Sequence, residues 1–272
     1  MGGHLKAVAL WGASGFVGST LMKSCDLLPV VHGQDHAGKE LPSVSGIIWC
    51  AGWPGKKNIS DVEANPIRSK LANVWEPLEL AERCKRSGRQ LLIMSSGCLY
   101  DRLNPEGSPW REDEPPNFTG PVYHRDKWEA ERGLSQFGDL VTIFRFRLPF
   151  NSSRHPRNML HKFAQWDRVM NIDQSFTWLP DLAKAVRAWQ LGIISNGTWH
   201  VTQPGTLNNF DAVKKYLNPN VEKIEGTLEE YTQASCARSH AILDSSKLGR
   251  VIELTEAEKA WRMECRRYRA MI

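Results

Sequence analysis

The chain has no CxxC pair and none of the Cys and His spacings that hold zinc, although six cysteines (Cys25, Cys50, Cys84, Cys98, Cys236 and Cys265) are scattered along it. No metal is expected, and the thiols are expected to be reduced, as in a cytoplasmic protein. No run of about 18 apolar residues is present to span a bilayer. Position 6 is Lys, where a myristoylation signal would carry Ser or Thr. Internal repeats and low-complexity tracts are absent too. The opening stretch MGGHLKAVALWGAS has too little apolar length for a secretion signal and runs straight into a glycine turn, so a first strand is expected there. The sequons at Asn58, Asn117, Asn151 and Asn196 are accordingly expected to stay unmodified.

What is present is an enzyme-sized soluble composition. Of 272 residues, 41% are hydrophobic and 24% charged, enough apolar material to bury a core and too little charge for disorder. Lys and Arg number 35 against 30 Asp and Glu, a net charge of +5 that suits anionic ligands without marking a nucleic-acid binder. Basic residues bunch at Arg83, Lys85, Arg86 and Arg89, and again at Arg262, Arg266, Arg267 and Arg269; solvated helix faces account for both.

Strands and helices alternate over the first 150 residues. Residues 5–11 read as a strand running into Gly12-Ala13-Ser14-Gly15-Phe16-Val17-Gly18 and then a helix. Further strands are expected at 28–32, 46–51, 90–94 and 140–148, with helices over 65–87 and 123–134. Only residues 33–45 separate the second and third strands, so one crossover helix is shortened or lost. This order predicts an α/β fold, a Rossmann-type doubly wound parallel sheet with helices on both faces. Beyond residue 151 the pattern loosens into a helix at 157–166, a strand at 169–172, a helix at 181–194, a strand at 198–201 and a polar C-terminal third. The expected division is a dinucleotide-binding domain of 1–150 plus about 176–202, and a smaller substrate-binding region of 151–175 and 203–272.

Three features carry chemistry. The GxxGxxG of Gly12, Gly15 and Gly18 allows a tight turn and close backbone approach to a pyrophosphate at a helix N-terminus. Twenty residues on, His32-Gly33-Gln34-Asp35 offers neither a clean acid for a free ribose 2′-hydroxyl nor an Arg for a 2′-phosphate, so NADPH and NADH both stay open, with NADPH favoured. Tyr123 and Lys127 are four apart on one helix face, where an ammonium would favour the phenolate and let Tyr exchange a proton. Ser96, ending the strand before them, can hold a substrate carbonyl beside Tyr123.

These residues resemble the extended short-chain dehydrogenase/reductase family, and within it the nucleotide-rhamnose epimerase/reductases. The resemblance rests on Ser96-Gly97-Cys98-Leu99-Tyr100, Pro116-Asn117-Phe118-Thr119-Gly120 before Tyr123, Arg147-Leu148-Pro149, and His155-Pro156-Arg157-Asn158 before Lys162, and it runs from about Leu5 to Leu248. Ser96 stands where such relatives tend to carry Thr, and the 33–45 region is shorter than usual in them.

The resemblance implies C3/C5 epimerisation of a UDP- or dTDP-4-keto-6-deoxyglucose followed by NADPH-dependent C4 reduction. It assigns Ser96, Tyr123 and Lys127 to the reduction, and Cys98 and Lys162 to the epimerase half as an acid/base pair. Which of those two is the base stays open. Cofactor contacts are implied at Gly12, Ser14, Gly15, Phe16, Val17, Gly18, Ala51, Gly52, Asn73, Ser95, Tyr123, Lys127, Leu148 and Pro149, and substrate contacts at Trp53, Cys98, Asn117, Arg157, Asn158 and Lys162. A separate 4,6-dehydratase would supply the substrate, a homodimer is allowed, and neither nucleic acid nor membrane is an expected partner. Three rivals stand beside this reading. One is a reductase that needs no Cys98 or Lys162; another is a GDP-fucose-synthase-like enzyme using a His, for which His161 is adjacent. The third is a dinucleotide-sensing Rossmann protein without turnover.

Overall fold

The computed structural model describes residues 7–30, 41, 43–56, 60–225 and 238–271. The first region contains β1 (Val8–Trp11), α1 (Phe16–Ser24), β2 (Leu28–Val30), β3 (Gly46–Trp49), α2 (Ser60–Glu63) and α3 (Pro66–Lys70). A π-helical turn (Leu71–Trp75), α4 (Glu76–Ser87), β4 (Gln90–Ser96), α5 (Val122–Leu134) and β5 (Val141–Phe146) complete it. Then come β6 (Pro149–Phe150), α6 (Met159–Phe163), β7 (Arg168–Met170), β8 (Asp173–Gln174), β9 (Thr177–Trp178) and α7 (Leu179–Gln190). The chain closes with β10 (Gly197–His200), β11 (Leu207–Asn208), α8 (Asn209–Tyr216), β12 (Glu222–Ile224) and a C-terminal helix, Ala257–Arg269.

Six strands form one parallel sheet in the order β10-β5-β4-β3-β1-β2. Side chains alternate across it. Val8, Leu10, Ile48, Leu92, Met94 and Phe144 pack towards α1 and α7. Their neighbours Ala9, Trp11, Ile47, Trp49, Leu91, Ile93 and Ile143 pack towards α4 and the end of α5. With both faces covered, the strands can be apolar throughout, which is why they read as continuous hydrophobic runs. Strand order reverses at β1, and the carboxyl ends of β1, β3 and β4 open onto one crevice, where such sheets take ligands.

A second core gathers around Trp261 of the C-terminal helix, whose ring lies 5.1, 5.6 and 5.9 Å from those of Phe150, Phe176 and Phe163. Three two-stranded ribbons, β6 with β9, β7 with β12 and β8 with β11, tie this lobe together.

Several expected elements differ. The helix over 157–166 is only Met159–Phe163, because the Asn158 side chain caps its start and a tight turn follows. The helix over 181–194 is Leu179–Gln190, ended by a turn at Gly192, where φ is 72°. The helix over 65–87 is interrupted by the π-turn at Leu71–Trp75. The polar C-terminal third hides α8 and the C-terminal helix, whose apolar residues recur at helical rather than strand spacing. The expected shortened crossover and the His32 to Asp35 tip lie outside the described residues, as do Cys236 and Asn58.

Candidate active site

The glycine turn links β1 to α1. Gly12 has φ of 85°, a left-handed backbone that glycine alone adopts freely, and a Cβ on Gly18 would stand 2.1 Å from the Gly12 carbonyl oxygen. These two glycines are demanded by the protein itself. Gly15 is not: a Cβ there would meet only the Gly12 oxygen, at 3.4 Å. Gly15 and Ser14 are exposed at the start of α1, whose first turn carries no acid and no side-chain cap. Uncapped amides with an unneeded glycine above them fit a bound pyrophosphate. Phe16 is buried and stacks on His155 at 4.9 Å, so it joins the turn to the second lobe; Val17 packs at the edge of the core.

Opposite, the chain leaving β3 passes through buried Ala51 and exposed Gly52 to half-buried Trp53. Asn73, in the π-turn, clamps this segment: its Oδ1 accepts from the Trp53 amide and its Nδ2 donates to the Trp53 carbonyl, both at 3.1 Å. Nδ2 also donates to Ser69 Oγ at 3.1 Å, and Ser69 donates to Asp126 at 2.6 Å. Asn73, expected to touch the cofactor, therefore spends its amide on the loop that would line it. The Arg68 guanidinium sits 4.9 Å from the centroid of the Trp53 ring.

At the end of β4 two adjacent serines part company. Ser95, expected to touch the cofactor, faces the α5 layer and donates its hydroxyl to Glu131 in a buried network. Ser96, one residue on, accepts from the Cys98 amide at 3.1 Å and is the hydrogen-bonding neighbour of Tyr123. Between them, Gly97 has no room for a side chain, since a Cβ would lie 2.4 Å from Leu243 Cδ1 and 2.7 Å from Arg147 Cγ. The turn thereby holds half-buried Cys98 beside Ser96.

Tyr123 and Lys127 come from α5, with Lys127 Nζ 5.9 Å from the Tyr123 ring centroid. Burial pushes the phenol up from its ordinary range, the charge of Cys98 adds to this, and Arg157 and the Ser96 hydroxyl oppose it. The expected lowering by Lys127 does not occur, because desolvation outweighs the cations nearby; Tyr123 is a proton donor in this state. Burial also lowers Lys127, to about 8, against Glu131 foremost and then Cys50 and Asp126. A Cβ on Gly52 would come within 3.5 Å of Lys127 Nζ, so the ammonium stands directly under the β3 loop.

From the second lobe, Arg157 donates through Nη2 to the carbonyls of Gly55 and Lys56, at 2.6 and 3.1 Å, and fastens the β3 loop to the start of α6. Lys162 is half-buried on α6, and burial, then Arg157 and Arg238, lower its ammonium. Arg157 thus acts on Tyr123 and Lys162 alike. The adjacent His161 turns elsewhere, its Nδ1 2.8 Å from the Tyr268 hydroxyl.

Two residues expected to contact substrate also make hydrogen bonds within the protein. Asn158 is fully buried, accepts from the amides of Leu160 and Asn151, and donates to the carbonyls of Asn151 and Ser153, which exhausts its amide. Asn117 is exposed but uses Oδ1 to accept from the Asp101 amide at 2.8 Å, pinning its loop to the segment that follows the Gly97–Leu99 turn. Leu148 holds φ of 39° and packs into the second core, and Pro149 opens β6, so both mark the seam between lobes.

The family described as RmlD substrate binding domain matches residues 39–270. The chain belongs to that family. It is 29% identical over 259 residues to a trifunctional UDP-glucose 4,6-dehydratase/UDP-4-keto-6-deoxy-D-glucose 3,5-epimerase/UDP-4-keto-L-rhamnose-reductase of Arabidopsis thaliana, covering 88% of this chain and 38% of that protein. The chain therefore spans well under half the length of that relative. A bifunctional dTDP-4-dehydrorhamnose 3,5-epimerase/dTDP-4-dehydrorhamnose reductase of the same plant is also 29% identical, with 88% of this chain and 85% of that protein covered. The solved L780 UDP-rhamnose synthase of Acanthamoeba polyphaga mimivirus has a similar fold, with a TM-score of 0.84 at 20% identity over 96% of this chain and 99% of that one. Similar folds include complexes with NADP, NAD and NADPH.

In this member of the RmlD family, four residues near the site were given no site role by the sequence. Glu131 follows Lys127 by one helical turn, a spacing that could have flagged it. Arg147, buried beside Gly97, props the Cys98 turn through Gly97 O and Ser239. Arg238 acts on Lys162 across the fold, which no local pattern reveals. His124 packs edge-on against Tyr123 and Phe118, and burial lowers it to about 3.

Proposed function

We propose that this chain is an NAD(P)H-dependent oxidoreductase acting on a UDP- or dTDP-4-keto-6-deoxyhexose, with C3 and C5 epimerisation preceding reduction at C4. The observation that carries it is the convergence of Ser96, Cys98 and Tyr123 at the carboxyl end of β4, with Lys127 5.9 Å from the phenol ring and Arg157 acting on both Tyr123 and Lys162. Residues 1–150 with 176–202 serve the dinucleotide, and 151–175 with 203–272 serve the sugar nucleotide.

The glycine turn, with Ala51, Gly52 and Lys127, would hold the dinucleotide, NADPH ahead of NADH. When bound, the reduced dinucleotide supplies the hydride for C4. Ser96 and Tyr123 donate hydrogen bonds to O4. The 4-keto group acidifies the hydrogens on C3 and C5; one of Cys98 and Lys162 removes such a proton, its bonding pair passes into the enolate, and the other returns a proton to the opposite face. Tyr123 then gives its proton to O4 as C4 is reduced, and its buried, protonated state suits that role. With His161 committed to Tyr268, a His-based second acid is disfavoured against Lys162.

The same reading places the enzyme in the cytoplasm, in keeping with free thiols at Cys25, Cys50, Cys84, Cys98 and Cys265. It assigns substrate supply to a separate 4,6-dehydratase, and a homodimer to the exposed stripe of Ile67, Leu71 and Trp75, four residues apart on one helical face.

The test is incubation with each 4-keto-6-deoxyglucose nucleotide and each reduced cofactor in deuterated water. Cofactor oxidation with solvent deuterium at C3 and C5 is expected. Oxidation without deuterium would leave a reductase alone. Tyr123→Phe should bind NADPH yet lose turnover; wild-type binding with no turnover on either sugar would favour a sensor.

A further inference from the structure

Lys127 is buried, yet among the described residues its ammonium makes no ion pair. Three carboxylates share its helix, and each is engaged elsewhere, Glu129 with Lys70. Asp126 accepts from Ser69 and faces Lys70 at 3.9 Å. Glu131 accepts from Nε and Nη2 of Arg145 through one oxygen, at 2.9 and 2.6 Å, and from the Ser95 hydroxyl through the other. Arg145 passes its Nη1 to the Tyr100 hydroxyl at 2.5 Å, which in turn donates to the Glu114 carbonyl at 2.8 Å. Glu131 is 4% exposed and Arg145 3%, so solvent screens these charges poorly.

Lys127 and Glu131 are one turn apart on the same face of α5. We propose that the Ser95–Glu131–Arg145 brace anchors Lys127 electrostatically: Glu131 is a positioning residue that keeps the ammonium charged beneath Tyr123 by its field rather than by contact. A direct pair would tie Nζ to the carboxylate; acting from a distance, Glu131 leaves the ammonium its three donors. The burial that lowers Lys127 is opposed first by Glu131. The remaining groups facing Lys127 are Tyr123 and Asp126 on its own helix, Cys50 after β3, and the neutral amide of Asn73 from the π-turn. This inference deepens the oxidoreductase reading and rests on it for its consequence, though not for its measurement.

The measurement is NMR titration of the full chain labelled with [13C]lysine, the Lys127 signal being the one lost in Lys127→Arg. Glu131→Gln should lower the Lys127 midpoint by about one pH unit, the size of effect a nearby opposite charge exerts. Glu131→Asp, which keeps the charge, should hold it close to wild type. Because Glu131→Gln strands Arg145, the double variant Glu131→Gln/Arg145→Met removes both charges and is expected to fold; its midpoint should also fall. A midpoint that stays at the wild-type value in Glu131→Gln, or in the double variant if the single does not fold, overturns the proposal. Turnover is followed in parallel, and its loss at high pH should track the midpoint. Shifted midpoints in a protein that turns over no 4-keto sugar would sink the enzymatic reading and leave the brace standing.

Discussion

At the scale of the residue, the proposed role of Lys127 predicts a pH range. Its ammonium is charged below about 8 and neutral above. Tyr123 loses its cationic neighbour as pH rises through that value, so kcat/KM for 4-keto reduction should fall on the alkaline side; a profile flat to pH 10 would contradict the role. The glycine turn allows a sharper separation. Gly18→Ala should destabilise the fold by about 1–3 kcal/mol, since its methyl would collide with the Gly12 carbonyl. Gly15→Ala should leave the urea midpoint unchanged and weaken NADPH binding, read by fluorescence titration. Tyr123 and Lys127 were legible as a pair because a spacing of four puts two side chains on one helix face. The protein partners of Ser95 and Asn158, Glu131 and Asn151 among them, were not legible because they are brought in by folding.

At the scale of the element, the π-turn at Leu71–Trp75 is the feature periodicity misses. The 65–87 stretch reads as one helix, and it nearly is one, but one wider turn sets Asn73 against the Trp53 backbone. The clamp joins α3 and α4 to the chain leaving β3, where a dinucleotide would lie. Asn73→Ala should cost about 1–3 kcal/mol in denaturant unfolding, the penalty for stranding the buried groups it pairs. It should also weaken cofactor binding, whereas a lesion confined to stability would leave the binding constant of the folded protein unchanged. The strands were easier to find. Buried on both faces, β1, β3, β4 and β5 each hold a short apolar run that reads as a strand. The short ribbons of the second lobe, two or three residues long, carry no period that a sequence can display.

At the scale of the molecule, two buried imidazoles link stability to pH. Burial lowers His124 and His200 to about 3, so both are neutral in the fold, while an unfolded chain protonates them near ~6.5. Their contribution is fully present above ~6.5 and is lost as pH falls through the folded value near 3, because the unfolded state then binds more protons. The urea midpoint should therefore drop between pH 7 and pH 5, and His124→Phe should flatten that slope. The stripe of Ile67, Leu71 and Trp75 bears on assembly. Trp75→Glu should shift sedimentation velocity towards the monomer, and an unchanged sedimentation coefficient would assign the stripe no part in self-association.

The sequence by itself determined the doubly wound sheet, the glycine turn, and the shared face of Tyr123 and Lys127, because each depends on a backbone period or on neighbours within one element. Only the tertiary structure decided which polar side chains meet. The field of Arg238 on Lys162, and the contacts of Glu131 with Arg145 and Ser95 and of Asn73 with the Trp53 backbone, join separate segments of the chain. The state of Tyr123 and Lys127 was decided there too, since it turns on how much water the fold removes, a quantity no spacing of residues encodes.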